Sequence, residues 1–96
     1  MSTLNVSLDA VSAEIRQFVI ANFLFGQNAD SLKDDDSFLE SGVIDSTGVL
    51  ELVGFLGTQF NITVADHELV PDNLDSVNKV ASFVCRKAAR LSTEAP

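Results

Sequence analysis

The chain is poor in several residue types that mark common classes of protein. It has no tryptophan or tyrosine, one cysteine, one histidine, and only six basic residues against 14 acidic ones. The single cysteine, Cys85, excludes an internal disulfide and a cysteine-based metal cluster. The formal net charge of −8 disfavours nucleic acid and anionic membranes as partners, and it favours proteins with basic docking surfaces.

Long apolar runs are also missing from the sequence. No stretch is long enough to cross a membrane, and the N-terminus lacks the basic segment and apolar run of a secretory signal. We therefore expect a cytoplasmic protein. The 96 residues, 46% of them hydrophobic, suffice for one globular domain with a modest core of Phe, Leu, Ile and Val.

The spacing of the apolar residues predicts an all-α fold, a small four-helix bundle of three long helices and one short helix. The predicted segments are a flexible N-terminus over 1–8, a domain over 9–91 and a tail over 92–96. Within the domain they are a helix over 9–25, a long loop over 26–45, a helix over 46–60, a short helix over 66–70 and a helix over 75–91. Gly26 is expected to end the first helix, whose N-cap is Ser7 or Asp9, and Pro71 is expected to end the short helix.

The second predicted helix has an unusual composition at its start and along one side. Asp45 and Ser46 stand at its N-terminus. The residues that follow on the same face as the serine are Leu50, Gly54 and Gly57. With a third glycine, Gly48, the helix carries three residues that each cost about 1 kcal/mol relative to alanine. A functional surface is one explanation of that cost, and close packing between helices is the other.

An acidic run, Asp34-Asp35-Asp36, raises the question of a calcium site in the long loop. The calcium-loop pattern needs oxygen ligands at alternate positions and a central glycine, but Phe38 and Leu39 occupy the fifth and sixth positions. The sequence therefore predicts a solvated acidic run and no metal site. Because Phe38 and Leu39 are apolar, we expect both to pack against the core.

Three interpretations of Ser46 follow from its neighbours. A hydrolase could be assembled from Ser46, His67 and an aspartate, but the chain has no Gly-x-Ser-x-Gly turn and no predicted strand to build it on. Ser46 or Asp45 could simply cap the helix. Ser46 could instead be an attachment point, because unpaired N–H groups at a helix N-terminus stabilise an attached phosphate.

The segment from Phe38 through Asp45-Ser46 resembles the acyl carrier protein and peptidyl carrier protein family. The likeness spans about residues 10–90. Its further matching residues are Glu51-Leu52, Phe60, Val64, Asp66 and Asn73-Leu74-Asp75-Ser76-Val77.

The resemblance implies a four-helix phosphoprotein that carries a 4′-phosphopantetheine arm on Ser46 and is not itself an enzyme. A phosphopantetheinyl transferase would install the arm from coenzyme A. An acyl- or aminoacyl-activating ligase would then load its thiol with a thioester cargo for downstream enzymes of fatty acid, polyketide or nonribosomal peptide biosynthesis. No catalytic residue and no metal ligand is implied, and we expect a monomer. The implied partner-recognition residues are Asp45, Thr47, Leu50, Glu51 and Gly54.

The sequence departs from that family at three places on the second helix. Thr47 stands where Leu or Met is usual, Gly54 where a larger apolar residue is common, and Glu51 is the only acidic residue of the helix. These differences favour a freestanding acyl or aminoacyl carrier of a specialised pathway over the housekeeping fatty-acid carrier. The alternative is a non-catalytic acidic helical interaction module without a prosthetic group.

Overall fold

The computed structural model describes residues 7–24 and 32–94. Within these ranges the chain forms α-helices and no strand, which confirms the all-α bundle. The helices are α1 (Leu8–Phe23), α2 (Phe38–Ser41), α3 (Ser46–Phe60), α4 (Pro71–Leu74) and α5 (Val77–Glu94), with a 3₁₀ turn at Asp66–Glu68. None of the described helices is long and apolar enough to span a membrane.

The core lies between the three long helices, with α1 packed most extensively against α5. Side chains spaced three or four residues apart bury one stripe of each helix. The buried stripes are Val11, Ile15 and Val19 of α1, Leu52 and Leu56 of α3, and Val77, Val80, Ala81, Phe83 and Val84 of α5. Burying one such aliphatic side chain fully contributes roughly 1.5–3 kcal/mol, so these stripes determine how the three helices pack.

The C-terminal ends of α1 and α5 differ from the predicted ones by two and three residues, respectively. Ser7 caps α1 by accepting a hydrogen bond from the Ala10 N–H at 3.0 Å. The helix ends at Phe23 because the Leu24 N–H bonds to the carbonyl five residues back, a pattern typical of helix termination. The predicted end at residue 25 is therefore wrong, and Gly26 lies outside the described residues.

The last helix begins after a serine cap and continues beyond its predicted end. Ser76 is buried, and its Oγ accepts from the Lys79 N–H at 3.1 Å, so α5 begins at Val77. It continues to Glu94, because no glycine or proline occurs between Val77 and that residue. The predicted tail over 92–96 is wrong for residues 92–94.

The long loop contains a short helix that periodicity did not reveal. α2 spans four residues between a Ser37 cap and Gly42, whose φ of 77° ends the helix in the left-handed conformation. Phe38 is 1% exposed, as predicted, but Leu39 is 46% exposed and does not pack into the core. Successive residues of a helix point in different directions, so Phe38 and Leu39 cannot both point inward from α2.

The acidic run anchors this segment to its neighbours. Asp34 pairs with Arg16 of α1 at 3.1 Å, and its carbonyl accepts from the Asn78 N–H of α5 at 3.0 Å. The Asn78 side chain also donates to Asp35. Among the described residues no group of three or more His, Cys, Asp or Glu side chains is arranged to hold a metal ion.

The predicted short helix over 66–70 is wrong in its extent. Only Asp66–Glu68 form a 3₁₀ turn, and Pro71 begins α4 where it was expected to end a helix. Proline is well suited to the first helical position, because its fixed φ is helical and its missing N–H would have no partner there.

Candidate functional site

Ser46 is the first residue of α3, and its side chain is exposed. The N-cap of the helix is Asp45, whose Oδ1 accepts from the Gly48 N–H at 2.7 Å and whose carbonyl accepts from the Val49 N–H at 3.1 Å. No hydrogen bond to the Ser46 hydroxyl is found within the described residues. The capping role belongs to Asp45, and the Ser46 hydroxyl is accessible for chemistry.

The corner that carries Ser46 is held in place by packing on the inner side. Ile44 is 1% exposed, and its N–H donates to the Phe38 carbonyl at 3.3 Å. Gly48 is buried one turn into α3, where an added Cβ would lie 2.8 Å from Phe23 Cε1 and 2.9 Å from Ile44 Cγ2. Of the two explanations that the sequence allows for the glycines of this helix, close packing therefore accounts for Gly48.

The other two glycines of α3 have different surroundings. A Cβ at Gly57 would make an ordinary contact with the Ile62 carbonyl at 3.4 Å, whereas one at Gly54 would meet nothing within 4 Å. Internal packing therefore does not explain Gly54.

The five residues predicted to recognise partners are all exposed. They are Asp45, Thr47, Leu50, Glu51 and Gly54. Among the residues whose burial the structure describes, Leu50 is the most exposed large apolar one, at 62%, and it lies one turn beyond Ser46. Exposure makes these side chains available, and their role in recognition stays a prediction.

An open groove of about 270 Å³ adjoins Ser46. It is lined by side chains from α2, α3, α4 and the residues just before α4. These are Phe38, Leu39, Ser46, Val49, Leu50, Leu69, Val70, Pro71, Leu74 and Asp75. Eight of the ten are apolar, so the groove offers an apolar surface beside the serine hydroxyl. The exposed side chain of Leu39 belongs to this groove and not to the core.

Asp75, at the end of α4, joins the two sides of the groove. Its Oδ2 accepts from Ser37 Oγ at 2.5 Å, its Oδ1 accepts from the Leu39 N–H at 3.0 Å, and its carbonyl accepts from the Phe38 N–H at 2.7 Å. Ser37 Oγ in turn accepts from the Glu40 N–H at 3.1 Å. A helix of four residues has little stability of its own, so these bonds hold α2 against α4. We call this set of contacts the Asp75 clasp.

The segment before α4 is fixed by a carboxylate on the 3₁₀ turn. Glu68 Oε1 accepts from the Ala65 N–H at 2.9 Å and from Lys87 Nζ of α5 at 2.9 Å. The Ala65 N–H and then the Lys87 ammonium lower the pKa of Glu68 below its ordinary value of 4.5. This pair ties one wall of the groove to the core helix α5.

Two other side chains of the domain, those of His67 and Cys85, carry groups that could take part in a reaction. His67 is exposed on the 3₁₀ turn, and no hydrogen bond between it and Ser46 occurs in the described part of the chain. Cys85 is half-buried on α5, and burial raises the pKa of its thiol, which lowers its thiolate content and its reactivity. Neither group gives Ser46 the partner that a hydrolase would need.

The sequence did not point to Ser37 or Asp75 as parts of the site. Asp75 belongs to a motif that matches the carrier-protein family, but the sequence indicated no role for it. Ser37 lies in the predicted long loop, where the apolar residues show no helical or strand period. The available signal for α2 was its pair of capping residues. Ser37 precedes the helix, three residues before Glu40, and Gly42 follows it.

Comparisons with known proteins identify relatives over most of the chain. Residues 24–84 match the protein family described as "Phosphopantetheine attachment site". The chain is 38% identical over 61 residues to the D-alanyl carrier protein of Streptococcus suis, and the aligned segment covers 64% of this chain and 76% of that protein. It is 36% identical over 75 residues to the D-alanyl carrier protein of Leuconostoc citreum, covering 78% of this chain and 92% of the relative. The D-alanyl carrier protein of Streptococcus thermophilus is 32% identical over 74 residues, covering 77% and 90%.

Proposed function

Since the chain belongs to the phosphopantetheine attachment-site family of carrier proteins and its prosthetic group is covalent 4′-phosphopantetheine, we propose that Ser46 is the attachment residue. The observation that supports this most directly is the exposed Ser46 hydroxyl, which has no hydrogen bond in the described residues and borders an apolar groove. When bound, the prosthetic group supplies a thiol that holds cargo as a thioester.

The N-terminus of α3 fits the phosphodiester that attachment at Ser46 would create. Asp45 uses its carboxylate on the Gly48 N–H. The N–H groups of Ser46 and Thr47 have no acceptor within the described residues, because they precede the first intrahelical bond of α3. Backbone N–H groups at a helix N-terminus favour a negative charge, so these two groups are placed to stabilise the phosphate.

We propose that the cargo is a small aminoacyl group. Relatives from two genera, which align with up to 92% of their length, are named D-alanyl carrier proteins, and this name supports an aminoacyl cargo over a long acyl chain. The open groove of about 270 Å³ has room for a short group. A phosphopantetheinyl transferase, an aminoacyl-activating ligase and a downstream acceptor enzyme are the partners that this function requires.

The exposed face of α3 is the proposed docking surface for these enzymes. It presents Thr47, Leu50, Glu51 and Gly54 around the attachment residue. Leu50 offers an apolar contact, and the open side of Gly54 allows a partner backbone to come close. Glu51 supplies the one charge of this surface.

Intact mass spectrometry tests the attachment. The protein is incubated with coenzyme A and a broad-specificity phosphopantetheinyl transferase, beside the variants Ser46→Ala and Ser41→Ala. We expect one phosphopantetheine on the wild type and on Ser41→Ala, whose exposed serine is the matched control, and none on Ser46→Ala. An unmodified wild-type protein would favour the interaction module without a prosthetic group, and modified Ser46→Ala would move the attachment elsewhere.

A further inference from the structure

The groove beside Ser46 contains one ionisable side chain, that of Asp75. The other nine lining residues are Ser46 and eight apolar residues from α2, α3, α4 and the residues just before α4. We propose that Asp75 determines cargo specificity by pairing its carboxylate with the cationic α-amino group of an aminoacyl cargo. This inference rests on the proposed function, and it adds a residue that selects aminoacyl over neutral acyl groups.

The carboxylate is held in position before any cargo arrives. Ser37 Oγ donates to Oδ2 at 2.5 Å, and the Leu39 N–H donates to Oδ1 at 3.0 Å. An ionised carboxylate can accept about four hydrogen bonds, so two acceptor positions remain after these contacts. The clasp thus fixes the direction of the carboxylate and leaves it able to accept an ammonium group.

The charge of Asp75 is not balanced by a cation in the described part of the chain. The two ion pairs found there are Arg16–Asp34 and Lys87–Glu68, and neither includes Asp75. The donors that Asp75 does have, a hydroxyl and a backbone N–H, are neutral. An ammonium group in the groove would add the opposite charge and a charge-assisted hydrogen bond.

A neutral acyl cargo would have the opposite effect. It would cover a half-buried carboxylate with apolar atoms, removing water from the charge without replacing the lost hydrogen bonds. The same residue therefore favours one cargo class and disfavours the other, which is how a binding site discriminates between groups of similar size.

The experiment measures the pKa of the cargo amine on the loaded protein. A phosphopantetheinyl transferase modifies Ser46 with the coenzyme A form of a non-hydrolysable amide analogue of alanyl-pantetheine, whose amine carries ¹⁵N, and adenosine 3′,5′-bisphosphate is released. The amine is then titrated by NMR in the wild type, in Asp75→Asn, in Ser37→Ala and in the free analogue. Asp75→Asn removes the charge but can still bond to Ser37 and Leu39, whereas Ser37→Ala removes one clasp bond and keeps the charge.

We expect the pKa of the amine to be about 0.5 higher on the wild type than in the free analogue, the scale of a partly exposed ion pair. Ser37→Ala should keep most of this increase and Asp75→Asn should lose it. Isobutyryl cargo, in which a methyl replaces the amine, should shift the Leu39 amide resonance less than alanyl cargo.

Two results would overturn the inference for different reasons. An amine pKa equal in the wild type and in Asp75→Asn, whether or not it exceeds that of the free analogue, means that Asp75 does not contact the amine, and it leaves attachment at Ser46 intact. Intact mass is measured first, and if no analogue is transferred to the wild type, the proposed function fails and this inference fails with it. If Asp75→Asn does not fold, the Leu39 amide resonance of the wild type decides the question, because that amide donates to Asp75 Oδ1 and should shift no more with alanyl than with isobutyryl cargo if the inference is wrong.

Discussion

Replacing Gly48 with alanine is the sharpest test of how α3 is seated under Ser46, the proposed attachment residue. The added Cβ would lie 2.8 Å from Phe23 Cε1 and 2.9 Å from Ile44 Cγ2, both too close for carbon atoms. Phe23 is half-exposed at the end of α1 and can rotate away. Ile44 is 1% exposed and branched at Cβ, so it has little freedom to move without shifting the backbone next to Asp45.

The expected magnitude combines two opposing contributions. Alanine gains about 1 kcal/mol over glycine in a helix interior. Overpacking a buried site costs about 1–3 kcal/mol. Since Ile44 is buried, we expect the cost to exceed the gain, with a net loss of about 1 kcal/mol in the free energy of unfolding.

Gly54→Ala is the matched control, because it makes the same change in the same helix at an open position. With nothing within 4 Å of the new Cβ, it should stabilise the protein by about 0.5–1 kcal/mol. The two variants should therefore differ by about 2 kcal/mol, or roughly 8–16 °C in Tm. Thermal unfolding followed by far-ultraviolet circular dichroism measures both values, since the chain has no tryptophan to report by fluorescence.

The substitution at Gly48 should also change the rate at which the transferase modifies the protein. A displaced Ile44 should move the Asp45-Ser46 corner, so Gly48→Ala should be modified more slowly by the transferase than the wild type. A Gly48→Ala protein that is as stable as Gly54→Ala would refute the packing described for this corner.

Two further predictions concern the faces of α3 and the carboxylate of Glu68. Leu50→Arg should weaken partner docking in a ligase loading assay with little effect on Tm, whereas Leu56→Ala should cost about 2–5 kcal/mol; equal stability losses would mean that the faces are reversed. Because Ala65 and Lys87 lower the pKa of Glu68, its contribution to stability is present above pH 4.5 and lost as the pH falls through the lowered value. Glu68→Gln should therefore lose less stability on acidification in urea titrations, and an unchanged pH dependence would contradict this.

The sequence predicted the long helices because each has several turns of periodic apolar residues. Val11, Ile15 and Val19 illustrate this on α1, where a spacing of four residues gives the buried face directly. The same reasoning missed α2, because a four-residue helix is too short to show a period. It also misplaced Leu39, whose apolar side chain lines an exposed groove instead of the core.

The position of Ser46 was recognisable, but its surroundings depend on contacts between distant segments. The Asp-Ser pair before an apolar helix is a local signal. The Asp75 clasp joins Asp75 to Ser37, which are 38 positions apart in the sequence. Gly48 packs against Phe23, which lies 25 positions before it. No local sequence pattern encodes either contact. The proline at 71 was assigned to the wrong end of a helix because proline is compatible with both a helix stop and a first turn.

The Asp75 clasp has a consequence for the order of events during protein synthesis. The first two amides of α2, those of Phe38 and Leu39, bond to Asp75, 37 and 36 residues further along the chain, so α2 lacks these acceptors until Asp75 has left the ribosome. Ile44, bonded to the Phe38 carbonyl, acquires its final position only with α2. A nascent chain that stops before Asp75 has the serine but lacks the contacts that hold α2 beside it, and we expect an enzyme that recognises this surface to modify such a chain more slowly than the finished protein.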